Sequence, residues 1–318
     1  MKKYILSTLT GALLAGTAMI GSASAANIGV SMALFDDNFL TVLRNGMSTY
    51  AGTLDGVNLQ IEDAGNDVAK QLDQINNFIA AGVDAIIVNP VDTSATQAMS
   101  DAAAAGGVPL VYVNREPINV DSLPDNQAFV ASNEKDSGTL ESMEVCRLFK
   151  EMGKTEASVY VIMGELSNQA AVMRTQDIHD VIATPDCSFI KIIDEQTSNW
   201  SRDQAQNLMT NWLSTGTAFD GVIANNDESA IGAIQAMKAA GVDMASVVVG
   251  GVDATQDALA AMQAGDLDVT VFQDAAGQGS GAVDAALKLA AGEAVDQKVY
   301  IPFQLVTPAN IDQFLTKN

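Results

Sequence analysis

Residues 27–39 read Asn-Ile-Gly-Val-Ser-Met-Ala-Leu-Phe-Asp-Asp-Asn-Phe. A short apolar run closes in a cluster of carboxylate, amide and aromatic side chains, and a helical pattern follows. The same phrase recurs along the chain. Strands are predicted at Asn27–Ala33, Asn58–Asp63, Ala85–Asn89, Pro109–Asn114, Ala157–Met163, Phe189–Glu195, Gly221–Asn225, Ser246–Gly250 and Asp268–Phe272. Between them, stretches such as Val68–Ala81 and Asp203–Ser214 repeat apolar residues at three- and four-residue spacing. Apolar strands alternating with amphipathic helices predict parallel sheets covered on both faces, an α/β chain. Ala-Ala-Gly-Val-Asp occurs at 80–84 and again at 239–243, each time before a strand, which suggests two halves built on one plan.

The remaining composition fits this reading. At 318 residues the chain is long enough for two domains. Its 48% hydrophobic content and mean hydropathy of +0.14 exclude a disordered chain. Lys and Arg number 16 against 39 Asp and Glu, a net charge of −23, which repels nucleic-acid backbones and anionic membranes. With only two Trp, five Tyr and ten Phe, any gathering of aromatics among polar residues carries information.

The first 25 residues are of another kind. Lys2 and Lys3 precede an apolar stretch from about Tyr4 to Ile20, and Ala23-Ser24-Ala25 supplies the small residues of a cleavage site. Export is expected, with a signal peptide at 1–25 cleaved after Ala25 and a periplasmic mature chain. Two cysteines, Cys146 and Cys187, then allow one disulfide in an oxidising compartment. Their spacing fits no metal motif, and the single His179 gives no basis for a His-based metal centre or triad.

In open α/β sheets ligands bind beyond the carboxyl ends of the strands. Those ends carry Leu34-Phe35-Asp36-Asp37-Asn38-Phe39, Asn89-Pro90, Asn114-Arg115, Gly164-Glu165, Asn225-Asn226-Asp227, Gly251-Val252-Asp253 and Phe272-Gln273-Asp274, with Trp200 after another strand. Asn and Asp at such positions also cap helices, and capping accounts for any one of them alone. As a set they describe a polyol site. Amides, carboxylates and guanidinium groups pair with vicinal hydroxyls, and flat rings cover the C–H faces of a sugar.

The ordered series from the first loop through Asn114-Arg115, Gly164 to Arg174, Asn226-Asp227, Gly251-Val252-Asp253 and Phe272-Gln273 resembles the periplasmic sugar-binding proteins of the ribose/galactose type. These are the substrate receptors of ABC importers, and the resemblance spans roughly 290 residues. It implies two doubly wound parallel-sheet lobes joined by three hinge strands, with the sugar between them. The lobes are expected at 26–132 with 274–301 and at 133–273 with 302–318. It implies ligand contacts from Phe35, Asp36, Asn38, Phe39, Asn114, Arg115, Arg174, Trp200, Asn226, Asp253 and Gln273, with Trp200 and the Phe35/Phe39 pair on either side of the ring. It further implies a monomer without cofactor or metal whose partner is a membrane permease. Cys146 would end the helix after the first hinge and Cys187 would precede a strand of the same lobe, so the two are expected to pair.

Departures limit the ligand. Ser167-Asn168-Gln169-Ala170 stands where galactose receptors carry His and Asp, their calcium loop is missing, and Asn114 replaces the Asp of ribose receptors. Another pentose or hexose, or a cyclic polyol such as myo-inositol, fits at least as well. Among rival classes, a dehydrogenase needs a glycine-rich turn after its first strand, but Ser31–Asn38 has no Gly. Gly277–Gly281 reads as a helix start near the hinge. No Ser-His-Asp pattern surrounds His179, read as a surface helix residue; Asp36-Asp37 would serve a glycosidase only with two carboxyls facing across a cleft. A transcriptional regulator of this fold would begin with a DNA-binding domain. A receptor serving a chemoreceptor or sensor kinase is the remaining alternative.

Overall fold

The structure is a computed structural model that describes residues 25–318; the signal-peptide expectation at 1–25 falls on residues 1–24, outside the described residues, and on Ala25. The chain runs β1 (Ala26–Met32), α1 (Asn38–Ala51), β2 (Val57–Asp63), α2 (Val68–Ala81), β3 (Ala85–Val88), α3 (Thr96–Gly106), β4 (Leu110–Val113), β5 (Gln127–Ala131) and α4 (Glu134–Glu151). It continues with β6 (Ala157–Met163), α5 (Gln169–Ala183), β7 (Ile190–Thr197), α6 (Arg202–Ser214), β8 (Gly221–Ala224), α7 (Asp227–Ala239), β9 (Val248–Gly250) and α8 (Gln256–Gln263). Then come β10 (Thr270–Phe272), α9 (Ala275–Ala290), β11 (Lys298–Tyr300) and β12 (Gln304–Val306).

Two separate parallel sheets result. The first has the order β2-β1-β3-β4-β5-β11, with Val30 opposite Ile61 and Ile87, and Val130 opposite Val299. The second has the order β7-β6-β8-β9, and parallel bridges at Gly250–Val269 and Asp253–Phe272 bring β10 alongside. β10 pairs antiparallel with β12. Taken from its own first strand, each sheet follows the sequence second, first, third, fourth, fifth. This is the shared plan suggested by the repeated pentapeptide.

The chain crosses between sheets three times, from β5 into α4, from β10 into α9 and from β11 to β12. Strands β5, β11 and β12 add to those anticipated. The last two are three residues each, too short for periodicity to reveal.

Both faces of each sheet are covered. In the first lobe, Val30, Leu43, Met47, Val111 and Val283 form one core beneath α1 and α9, and Phe78, Tyr112 and Phe129 belong to the opposite one. In the second, Trp212 stacks on Tyr160 with ring centroids 4.3 Å apart. Side-chain caps set the helix starts: Asp37, Asp67, Asn133, Asn168, Asn226 and Asp274 each accept from a backbone N–H of the following turn. The Gly277–Gly281 cluster lies in the first turns of α9. Cys146 on α4 and Cys187 before β7 are disulfide-bonded, Cα–Cα 5.8 Å, at the amino-terminal side of the second sheet. Among the described residues no helix is long and apolar enough to cross a membrane.

Candidate functional site

The carboxyl ends of the two sheets face one cavity, lined from both lobes by Asp37, Phe39, Asn114 and Arg115 and by Asn168, Arg174, Trp200, Asn226, Asp253 and Gln273, with Leu40 and Ala170 filling the wall. Three hydrogen-bonding contacts join the lobes around it. Asn38 Nδ2 donates to Glu228 Oε1 at 2.9 Å, Thr93 N to Ser167 O at 3.1 Å, and Asn66 Nδ2 to Glu165 Oε1 at 3.5 Å.

Phe39 and Asp37 reach the cavity because α1 begins there. Asp37 Oδ1 accepts from Leu40 N at 2.8 Å, which fixes its carboxyl at the helix mouth. Burial pushes that carboxyl up from the usual range, against the capping N–H and the nearby Arg115 charge. Asn114 follows β4 in a left-handed conformation, φ 68°, and belongs to a buried polar chain. Asn89 Nδ2 donates to Asn114 Oδ1 at 3.2 Å, Asn114 Nδ2 to Gln278 Oε1 at 3.2 Å, and Gln278 Nε2 to Ser132 Oγ at 2.9 Å. The next residue, Arg115, donates through Nη1 to Pro90 O at 2.9 Å. Burial lowers its guanidinium pKa, opposed by Asp37 and Glu165.

On the second lobe Trp200 sits at φ 64°, and its indole lies directly on Gly164. A β-carbon at Gly164 would come 2.2 Å from the ring, so glycine is what permits the contact. Asn226 caps α7 through Ser229 N at 3.1 Å and also donates to Trp200 O at 3.3 Å, so capping and cavity lining coexist in one side chain. Arg174 is the most engaged group. Its Nε and Nη2 donate to Glu134 at 2.8 and 3.0 Å, Nη1 donates to Asn225 O at 2.8 Å, and Nη2 also donates to Gln273 Oε1 at 3.2 Å. Burial lowers the Arg174 pKa, but Glu134 and Asp253 outweigh it and leave the group firmly protonated. Asp253, φ 124°, lies 3.9 Å from Arg174 Nη1, and burial holds its carboxyl well above the ordinary range. Three non-glycine residues at positive φ thus line one cavity, a concentration of backbone strain that marks functional sites.

Trp200 Nε1 and Gln273 Nε2 are buried donors with no protein acceptor. A buried donor left unpaired costs about 1–3 kcal/mol, so these two N–H groups suit a ligand rich in acceptors. The site combines such donors with carboxyl and amide acceptors and two aromatic surfaces. Such groups are able to pair with the hydroxyls of a ring. Among the described residues no cluster of three or more His, Cys, Asp or Glu is arranged to hold a metal.

Eight of the eleven residues singled out in the sequence meet here: Phe39, Asn114, Arg115, Arg174, Trp200, Asn226, Asp253 and Gln273. Three do not line the cavity. Phe35 precedes α1 and lies under the Arg44 guanidinium, 4.1 Å from the ring centroid, so it does not pair with Phe39 beside a ligand. Asp36 and Asn38 point to an outer hollow shared with Arg202, Asp203 and Glu228. His179 is exposed on α5 and pairs with Glu195 at 2.8 Å. Asp37, Asn168, Leu40 and Ala170 line the cavity without being among those eleven, although Asp37 stands in the strand-end cluster read from the sequence. The signal that could have found the first two is capping: Asp37 and Asn168 are the residues that start α1 and α5.

A family model described as a periplasmic binding protein domain matches residues 28–294. A Rhizobium meliloti protein provisionally named rhizopine-binding is 66% identical over 318 residues, the whole of both chains. A Bacillus halodurans ABC transporter solute-binding protein with bound myo-inositol is 39% identical, with TM-score 0.86, covering 94% of this chain and 100% of that one. The Caulobacter myo-inositol binding protein, bound to myo-inositol, is 28% identical, with TM-score 0.81, covering 93% and 97%.

Proposed function

This chain belongs to the periplasmic binding protein family, and we propose that it captures one uncharged cyclic polyol, myo-inositol or an inositol derivative, and delivers it to an ABC importer. The observation that carries this reading is the cavity itself. Its wall comes from both lobes and pairs aromatic surface with unpartnered buried donors. The similarity to the two myo-inositol-bound receptors and to the rhizopine-binding relative, at higher identity than that to the ribose- and galactose-binding relatives for two of the three, supports inositols.

In this reading the signal peptide is removed after Ala25, and the mature monomer works in the periplasm with lobes 26–132 plus 274–301 and 133–273 plus 302–318. Trp200 and Phe39 cover the apolar ring faces. Arg115, Asn114 and Asp37 take hydroxyls from the first lobe, while Asn168, Asn226, Asp253 and Gln273 take them from the second. Bound ligand favours the closed arrangement because only that arrangement brings both sets together. No bond in the ligand is made or broken.

A thermal-shift screen of myo-inositol, scyllo-inositol, D-ribose, D-galactose, D-xylose and xylitol tests this. The inositols should raise the melting temperature most, since a ligand at 100 times its Kd stabilises by about 2.7 kcal/mol. Stabilisation by ribose or galactose alone would overturn the inositol assignment, and recovery of chemically altered ligand at turnover would overturn the receptor reading.

A further inference from the structure

Glu134 does not line the cavity, yet it controls a group that does. It stands in the first turn of α4, three residues after β5 ends, where the chain first crosses between sheets. Its carboxylate meets Arg174 side-on through two bonds, Nε to Oε2 at 2.8 Å and Nη2 to Oε1 at 3.0 Å, with both side chains under 5% exposed. Ser137 Oγ donates to the same Oε2 at 3.0 Å and fixes the carboxylate in turn. The helices carrying the pair are packed closely enough that a β-carbon at Gly138 would lie 2.5 Å from Arg174 O. Arg174 also bonds Asn225 O and Gln273 Oε1, so four of its five N–H groups are committed and one Nη1 hydrogen remains for the cavity.

A guanidinium facing a low-dielectric cavity attracts ring acids unless carboxylates balance it; Asp37 and Glu165 stand near Arg115, and Glu134 pairs directly with Arg174. Paired two-to-two with a carboxylate, it presents a fixed donor with its charge balanced. We propose that Glu134 is a positioning residue that sets the charge preference of the site: it holds Arg174 as a neutralised donor, so that uncharged ring polyols bind and ring carboxylates are turned away. This rests on the polyol reading above.

The test compares myo-inositol with D-glucuronate by calorimetry on the mature protein and on Glu134→Gln. The wild type should prefer myo-inositol. In Glu134→Gln, which keeps the size of the side chain and removes its charge, affinity for myo-inositol should fall about tenfold or more. The ratio of affinities should move toward glucuronate by at least a similar factor. A purely structural role would weaken both ligands alike, so an unchanged ratio overturns the proposal. Glu134→Asp keeps the charge at shorter reach. It should lose polyol affinity while retaining the wild-type ratio, including where Glu134→Gln does not fold, and a ratio shifted toward glucuronate in Glu134→Asp also overturns it. A wild-type protein that binds neither inositols nor any other ring polyol would instead overturn the functional reading and this inference with it.

Discussion

The indole of Trp200 covers Gly164 so closely that a β-carbon there would come within 2.2 Å of the ring. The six-membered edge of a rigid ring cannot yield by a rotamer change as a flexible side chain would. Gly164→Ala should therefore displace the indole from the cavity wall while leaving the sheet intact. An affinity loss of about tenfold for myo-inositol is expected, equivalent to about 1.4 kcal/mol, with little change in melting of the ligand-free protein. Trp200→Ala should act in the same direction. Titration and scanning calorimetry on both variants check this, and unchanged affinity with a collapsed melting temperature would place the indole in the core.

Asn38 and Glu228 tie the lobes at the rim without lining the inner cavity. Asn38→Ala removes one of the three cross-cleft contacts. A net hydrogen bond contributes about 1 kcal/mol, so affinity should fall by roughly fivefold through loss of closed-state stability. Small-angle scattering on the ligand-saturated variant should still report the compact form. A variant with wild-type affinity would show that the rim bond contributes nothing to closure.

Much of this geometry is legible in the amino-acid sequence. The α2 helix falls at Val68–Ala81 as its apolar spacing predicts, because Asp67 caps one end and Gly82, at φ 71°, ends the other. The polar strand ends converge because parallel strands place their carboxyl ends on one side. Phe35 and Phe39 look like a pair in the sequence, but α1 starts at Asn38, so no shared helical face brings Phe35 to the cavity. Which of the neighbouring carboxyls Asp36 and Asp37 faces inward depends on the register of one cap. The Glu134–Arg174 pair joins residues 40 apart across two helices, and no local pattern announces it.

Buried carboxyls bear on pH, four of them above all, with Asp37 and Asp268 raised as well. Burial raises Asp227 and Asp177 each to about 7, and holds Glu141 and Asp253 well above the ordinary range. In the unfolded chain all four titrate at roughly 4. Their folded pKa values are raised, so the folded state binds more protons, and stability falls as pH rises from about 4 through about 7 for Asp227 and Asp177, with the same sign for Glu141 and Asp253. Melting of the ligand-free protein should therefore be higher at pH 5 than at pH 8, and Asp227→Asn should flatten the slope. A melting temperature that climbs from pH 5 to 8 would contradict these assignments.

The Cys146–Cys187 bond closes a loop with a sequence separation of 41 at the end of the second sheet opposite the cavity. In the chain-entropy model such a crosslink contributes about 4 kcal/mol. Reduction should lower the melting temperature and leave ligand affinity nearly unchanged. Intact mass under denaturing alkylation, with and without reductant, checks that the bond is present. Two alkylated thiols before reduction would refute it.

One uncharged ring polyol held between the lobes should appear in titration calorimetry of residues 26–318 with myo-inositol as saturable binding of one ligand per chain, lost or strongly weakened in Arg115→Ala on the first lobe and in Trp200→Ala on the second. No binding heat with any inositol, or binding that is insensitive to both substitutions, would contradict this reading.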